Sequence, residues 1–277
     1  MIKGIVFDLD DTLTVHEDLY NINYLKIIHI FFPEYKNDQS KILDLMIKII
    51  DEVGTKKYFY NYKNTKFGGR DILWADCGGK GEIDEYLNGC YLEIQYAIWK
   101  EIISSLEIKN ISNFKNIIDT YKYLMWSGIK TFSDVIPTLT KLKNFKLGIL
   151  TNGMQIHQRR KISTAGILGI FSNKNTSIVT SSECSFGKPF EKPYKLICDK
   201  LSLNFSEIIM VGDRPEGDIL GANKLGIKNV LINRKSTNYS NPEEKPDYEI
   251  NNLFELTNLL KNQFLDNKKS KSHPNSA

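Results

Sequence analysis

Asp8 and Asp10 stand two residues apart where an apolar, β-branched opening run gives way to polar residues, with Thr12 close behind. Later apolar runs close in a similar manner. Lys146 to Leu150 ends on Thr151, Asn152 and Gly153. Ser177 to Thr180 is followed by a loop bearing Lys188, and Ile208 to Val211 ends on Gly212 and Asp213, with Asp218 just beyond. Carboxylates, a hydroxyl, backbone amides and an ammonium suit an anion held beside a divalent metal. Clustered carboxylates repel one another, and a hard cation with oxygen ligands relieves that. Mg²⁺ is the expected ion, because it takes a few carboxylates, keeps waters and accepts phosphate oxygens.

Such a site needs elements that bring these groups together. Between the short apolar runs, and before a further one at Asn229 to Ile232, lie helix-length segments with apolar residues at helical spacing, such as Ile156, Ile162 and Ile167, or Ile219, Ala222 and Leu225. The alternation predicts right-handed βαβ units, hence an α/β fold with a doubly wound, mostly parallel Rossmann-like sheet. In a parallel sheet all carboxyl ends lie on one edge, where ligands bind. The polar residues after the runs should therefore converge.

From about Val15 to Gly128 the pattern changes. Apolar residues keep helical period through Leu19 to Phe32, Ile42 to Val53, Ile83 to Ile103 and Ile111 to Trp126. A helical block thus interrupts the α/β pattern after its first strand. The expected organisation is a core domain of residues 1–14 and 129–265, an inserted α-helical cap domain of 15–128, and a polar, Pro-broken, disordered tail of 266–277.

Composition narrows the function. The 277 residues are 41% hydrophobic and 25% charged, ordinary values for a soluble globular chain. Lys and Arg number 37 against 33 Asp and Glu, an excess of +4 that is far from a nucleic-acid binder's basic stripe. The greasiest stretch, Ile27 to Phe32, falls well short of the roughly 20 residues a membrane helix needs. Neither nucleic acid nor membrane is an expected partner. Cys77, Cys90, Cys184 and Cys198 form no CxxC pair and read as reduced thiols. No charged-then-apolar leader precedes the first strand, so a cytoplasmic protein is expected. His16, His29, His157 and His273 are scattered, which argues against a histidine metal site; His16 alone lies near the acidic pair.

The polar set, in this order, resembles the phosphatase branch of the haloacid dehalogenase superfamily, whose capped members insert a domain after the first strand. The motifs stand as Asp8-Leu9-Asp10-Asp11-Thr12, Thr151-Asn152-Gly153, Lys188-Pro189 and Gly212-Asp213-Arg-Pro-Glu-Gly-Asp218. Each alone is common; four in order at strand ends are specific. The resemblance covers residues 1 to 14 and about 129 to 235. A phosphate-accepting receiver domain gathers similar groups, but in another order and without an insertion.

The resemblance implies a role for each residue. Asp8 is the nucleophile that forms an aspartyl-phosphate. Asp10 protonates the leaving alkoxide and then activates water, which calls for a raised pKa. Dehalogenase members lack this second carboxylate. Asp8, the Asp10 carbonyl and Asp213 hold Mg²⁺. Thr151 and the amides of Asn152 and Gly153 bind phosphate oxygens near a helix N-terminus, and Lys188 neutralises charge. Thr12 fixes the loop, and Asp218 orients Lys188 or metal-bound water.

Blander readings compete. Asn152-Gly153 is also a common turn pair. Lys192-Pro193 rivals Lys188-Pro189, although Pro193 suits a helix's first turn. The aromatic and basic stretch Lys56 to Lys63 reads as a half-buried helix face. Gly68-Gly69-Arg70 and Cys77-Gly78-Gly79-Lys80-Gly81 lack P-loop spacing and read as turns; Arg70 and Lys80 suit a second anionic group of a substrate. The expected function is Mg²⁺-dependent hydrolysis of a small phosphorylated metabolite. Similar capped members act on phosphoglycolate, sugar phosphates, acylneuraminate phosphates and nucleoside monophosphates. A phosphomutase and a catalytically silent binding module are the alternatives, and oligomeric state is open.

Overall fold

A computed structural model describes residues 1–35, 38–58, 60–67, 69–108, 114–236 and 238–262, without the side chains of 55–61. The tail 266–277, His273, Gly68 and Phe59 fall outside that description, as do the other side chains from Lys56 to Asn61. Six strands form one sheet: β1 (Gly4–Phe7), β2 (Lys146–Thr151), β3 (Thr176–Thr180), β4 (Ile208–Gly212), β5 (Lys228–Ile232) and β6 (Tyr248–Ile250). Their order is β3-β2-β1-β4-β5-β6, and every neighbouring pair is parallel. The order reverses between β1 and β4, and a doubly wound sheet binds its ligand at such a switch point. Strands β1 to β5 lie on the predicted runs. Strand β6 was not foreseen, because Tyr-Glu-Ile is too short to display a period.

Alternation along the strands feeds two layers. Ile5 and Phe7 face one side with Ile149, Ile209, Val211 and Val230, while Val6 faces the other with Leu150, Val179 and Met210. Helical elements fill both layers. In chain order they are α1 (Glu17–Phe31), α2 (Gln39–Ile49), α3 (Gly69–Ile72), α4 (Glu82–Ser105) and α5 (Phe114–Gly128), then α6 (Val135–Lys141), α7 (Gln155–Thr164), α8 (Glu191–Leu201), α9 (Leu220–Lys224) and α10 (Leu253–Leu260). Residues of α8 and α9 cover the Val6 face; residues of α6, α7 and α10 cover the Ile5 face. No described helix is long and apolar enough to cross a membrane.

Helices α1 to α5 lie between β1 and α6. Their own interior centres on Tyr24, which stacks on Tyr121 at 5.3 Å between ring centroids, with Trp99 edge-on to Tyr121. That interior is continuous with the Ile5 layer of the sheet. The chain's exit and return run side by side: Val15 N–H donates to Lys130 O at 3.0 Å and Phe132 N–H to Leu13 O at 3.3 Å. Arg234, just past β5, braces them. It bonds both oxygens of Asp134 at 2.9 and 3.0 Å and Thr12 O at 3.1 Å, and lies 3.8 Å over the Phe132 ring.

Candidate active site

Asp8 extends β1 by one residue, its N–H donating to Val211 O at 2.9 Å, and its side chain is buried. The chain then turns tightly. Leu13 N–H and Thr14 N–H both donate to Leu9 O at 2.9 Å, and Asp11 takes a left-handed φ of 60°, a conformation aspartate tolerates better than most residues. The Asp11 carboxylate accepts from His16 N–H and Glu17 N–H at 3.0 to 3.2 Å and so starts α1. Thr12 Oγ1 donates to Asp213 Oδ1 at 3.1 Å, tying the loop to the end of β4.

Lys188 reaches back to the same edge. Its ammonium pairs with Asp8 Oδ1 and, at 2.6 Å, with Asp218 Oδ1. Asn152 clamps the Lys188 backbone, accepting its N–H at 2.8 Å and donating to its carbonyl at 3.2 Å. Lys192, the rival, lies over the Phe186 ring instead. Arg214 N–H holds Asp218 Oδ2 at 3.0 Å, and a side chain at Gly212 would meet Asp218 Cγ at 2.2 Å, so glycine is what admits this approach.

Asp8, Asp213 and Asp218 present oxygens within 4.8 Å of one another. Burial, with opposition from Lys188 and reinforcement from Asp218 and Asp10, pushes Asp8 up to about 7. Burial and the neighbouring Asp8 and Asp218 push Asp213 well above the carboxylate range. One ammonium is too little charge for three carboxylates, and the all-oxygen donor set suits a hard divalent ion such as Mg²⁺. Asp8 and Asp213, expected to hold the metal together with the Asp10 carbonyl, thus lie side by side, with Asp218 next to them. The Asp10 carboxylate points away from this group.

It turns toward a second cluster. Asp10 accepts from Gln158 Nε2 at 3.0 Å and from Lys161 Nζ at 3.1 and 3.3 Å. Gln158 Nε2 also donates to Thr151 Oγ1 at 2.6 Å, which leaves the threonine proton to give. Lys161 in turn donates to Asp71 Oδ1 at 3.2 Å and meets His16 Nε2 at 2.8 Å. Tyr20 OH donates to the same Asp71 oxygen at 2.7 Å, and His157 Nε2 lies 3.4 Å away. Two of the four scattered histidines, His16 and His157, thus meet around one carboxylate. Sequence reasoning missed this cluster; a lysine one turn past a glutamine on α7 carries no sign that an aspartate from α3 meets it.

The electrostatics depart from expectation. Burial favours neutral Asp10, but His16 and Lys161 outweigh it and hold its pKa below the ordinary value. The expected raised pKa is therefore absent in this state. The phosphate cradle differs too. Gly153, at φ +146°, spends its N–H on Ser181 Oγ at 2.8 Å. The start of α7 is capped from the inserted helices, Gln155 N–H donating to Asp84 Oδ1 at 3.1 Å. Neither is free for an anion in this geometry. Arg70 is engaged by Glu17 at 2.7 Å, and the Lys80 side chain is exposed.

The family model for haloacid dehalogenase-like hydrolases matches residues 2–226. A glyceraldehyde 3-phosphate phosphatase from Methanocaldococcus jannaschii is 29% identical over 95% of this chain and 98% of its own. An N-acylneuraminate-9-phosphatase from Rattus norvegicus is 26% identical over 98% of each. In fold, the magnesium-bound structure of YfnB from Bacillus subtilis superposes with a TM-score of 0.62 at 17% identity, covering 94% of this chain and 98% of the other. With an acidic pair at β1, an ammonium at the β3 loop and acids after β4, the chain belongs to the haloacid dehalogenase-like hydrolases.

Proposed function

We propose that this chain is a Mg²⁺-dependent phosphatase that hydrolyses the phosphate ester of a primary alcohol on a small polar metabolite. The observation that carries the reading is the division of labour between two carboxylates two residues apart. Asp8 sits among Lys188, Asp213 and Asp218, while Asp10 sits beside Thr151 on the side facing the inserted helices. A nucleophile and an acid–base group need such separate environments.

Asp8 attacks phosphorus and carries the phosphoryl group as an acyl phosphate, which splits one difficult displacement into two easier ones. The Thr151 hydroxyl, the Asn152 N–H and Lys188 bind its oxygens, and Asp10 gives a proton to the departing alkoxide and takes one from water. Asp8, the Asp10 carbonyl and Asp213 would hold Mg²⁺, with Asp218 steadying Lys188; the ion supplies positive charge that lets carboxylates and phosphate share the edge. His16 and Lys161 favour ionised Asp10 against its burial. An anionic phosphoryl group arriving beside it disfavours that charge and restores the proton the acid needs. Residues 15–128 act as the cap over this edge, and residues 1–14 and 129–265 as the catalytic core. The relatives' names specify phosphates on terminal carbons, which supports the primary-alcohol class. All four cysteines are free thiols, in keeping with a cytoplasmic location.

A panel of phosphorylated metabolites, assayed for inorganic phosphate with Mg²⁺ and with EDTA, tests the proposal. Mg²⁺-dependent release without an isomerised product supports it. Release that survives full chelation, or an isomer without release, contradicts it.

A further inference from the structure

Lys161 is fully buried, and its ammonium lies between Asp10 of the catalytic loop and Asp71 of α3, 5.1 Å from the Trp74 ring centroid. A buried ammonium loses its hydration, and the desolvation penalty commonly offsets what its partners return. Stability alone is thus a poor reason for placing a lysine here. Its partners suggest another. Gln158 fixes one side of Asp10 to Thr151, and Lys161 fixes the side facing the inserted helices. Asp71 holds Lys161 from the other domain and is itself held by Tyr20. Asp10 therefore stands where the phosphate site meets the inserted helices, and a departing alcohol must leave through that boundary.

We propose that Lys161 is a positioning residue that aims the Asp10 carboxyl at the leaving group, and that Asp71 completes its hold only when the cap is docked. The proposal rests on the phosphatase reading above. The acid–base step then senses cap closure through one side chain, and an alkoxide leaves efficiently only from a shut site.

The test compares a primary alkyl phosphate with p-nitrophenyl phosphate, whose leaving group needs little protonation. Lys161→Met should lower kcat on the alkyl ester by about 10²-fold, within the range of acid–base assistance, with KM changed by less than about threefold. The loss on the aryl ester should be about tenfold smaller. Lys161→Arg should recover part of the alkyl activity. Because Lys161→Met leaves two buried carboxylates facing each other and can fail to fold, Asp71→Asn is the second variant. It should show the same leaving-group bias, at about 10-fold on the alkyl ester. Equal losses on both esters in folded Asp71→Asn, or a change confined to KM, would overturn the inference and leave the phosphatase reading intact. A wild-type protein that hydrolyses neither ester would overturn that reading, and this inference with it.

Discussion

The Lys161 ammonium and the Asp10 carboxylate meet at 3.1 Å across 151 residues of chain, inside the boundary between the sheet's catalytic edge and the inserted helices. Asp10 is two residues from Asp8, yet the two carboxylates face different partners. Burial and neighbouring acids raise the pKa of Asp8 against the pull of Lys188; His16 and Lys161 favour ionised Asp10 against its burial.

Asp10→Asn should keep the fold and the nucleophile but lose proton transfer. Turnover of a primary alkyl phosphate should fall by about 10² to 10⁴, with a smaller loss on p-nitrophenyl phosphate. Steady-state kinetics on both esters checks this. Equal losses would remove Asp10 from the acid role.

Metal binding should appear in stability, with a definite pH dependence. The folded pKa values of Asp8 and Asp213 are raised, so the metal-free fold holds protons that the unfolded chain releases near pH 4. Their contribution is favourable at low pH and is lost as pH rises through the folded values, about 7 for Asp8. Mg²⁺ relieves that repulsion. Its effect on Tm should be larger at pH 7.5 than at pH 5.5, and a hundredfold excess over Kd adds about 2.7 kcal/mol. Asp213→Asn should raise the metal-free Tm at pH 7.5 and shrink the Mg²⁺ response. An undiminished response in that variant would contradict the site.

The paired exit and return segments should depend on Arg234. Its guanidinium joins Asp134, Thr12 O and the Phe132 ring, and both charged side chains are nearly buried. Arg234→Met leaves Asp134 uncompensated and should cost about 3 kcal/mol in chemical denaturation. Arg234→Lys should recover only part, since an ammonium cannot reproduce the two-pronged pairing. Leu253 N–H already donates to Asp134 Oδ2 at 2.7 Å; a loss under about 1 kcal/mol would mean that this bond and solvent suffice for the carboxylate.

Much of this arrangement was legible in the sequence for a physical reason. A buried parallel strand is an apolar run, and its carboxyl end is where polar residues resume, so Asp8, Thr151 and Asp213 announce themselves locally. The fold and the gathering of Lys188 and Asp218 with those acids follow from that grammar. Tertiary partnerships leave no such mark. Asp71 lies in a four-residue helix, Gln158 and Lys161 read as an ordinary polar helix face, and only the folded chain joins them to Asp10. The same limit explains Gly153. Its type predicted a turn or an anion-binding amide, and Ser181, 28 residues away, decides where its N–H points. Asp11 lies within the first motif, but its capping of α1 depends on a left-handed backbone that sequence alone does not display.

In the proposed reaction Asp8 carries the phosphoryl group between two displacements. The most direct measurement is acid quenching during turnover of a primary alkyl phosphate with Mg²⁺, followed by proteolysis and mass spectrometry of the peptide that contains Asp8. A phosphoryl group is expected on Asp8, enriched when Asp10→Asn slows its hydrolysis, with no turnover in Asp8→Asn. Turnover by Asp8→Asn at the wild-type rate, or a phosphoryl group on another residue, would contradict it.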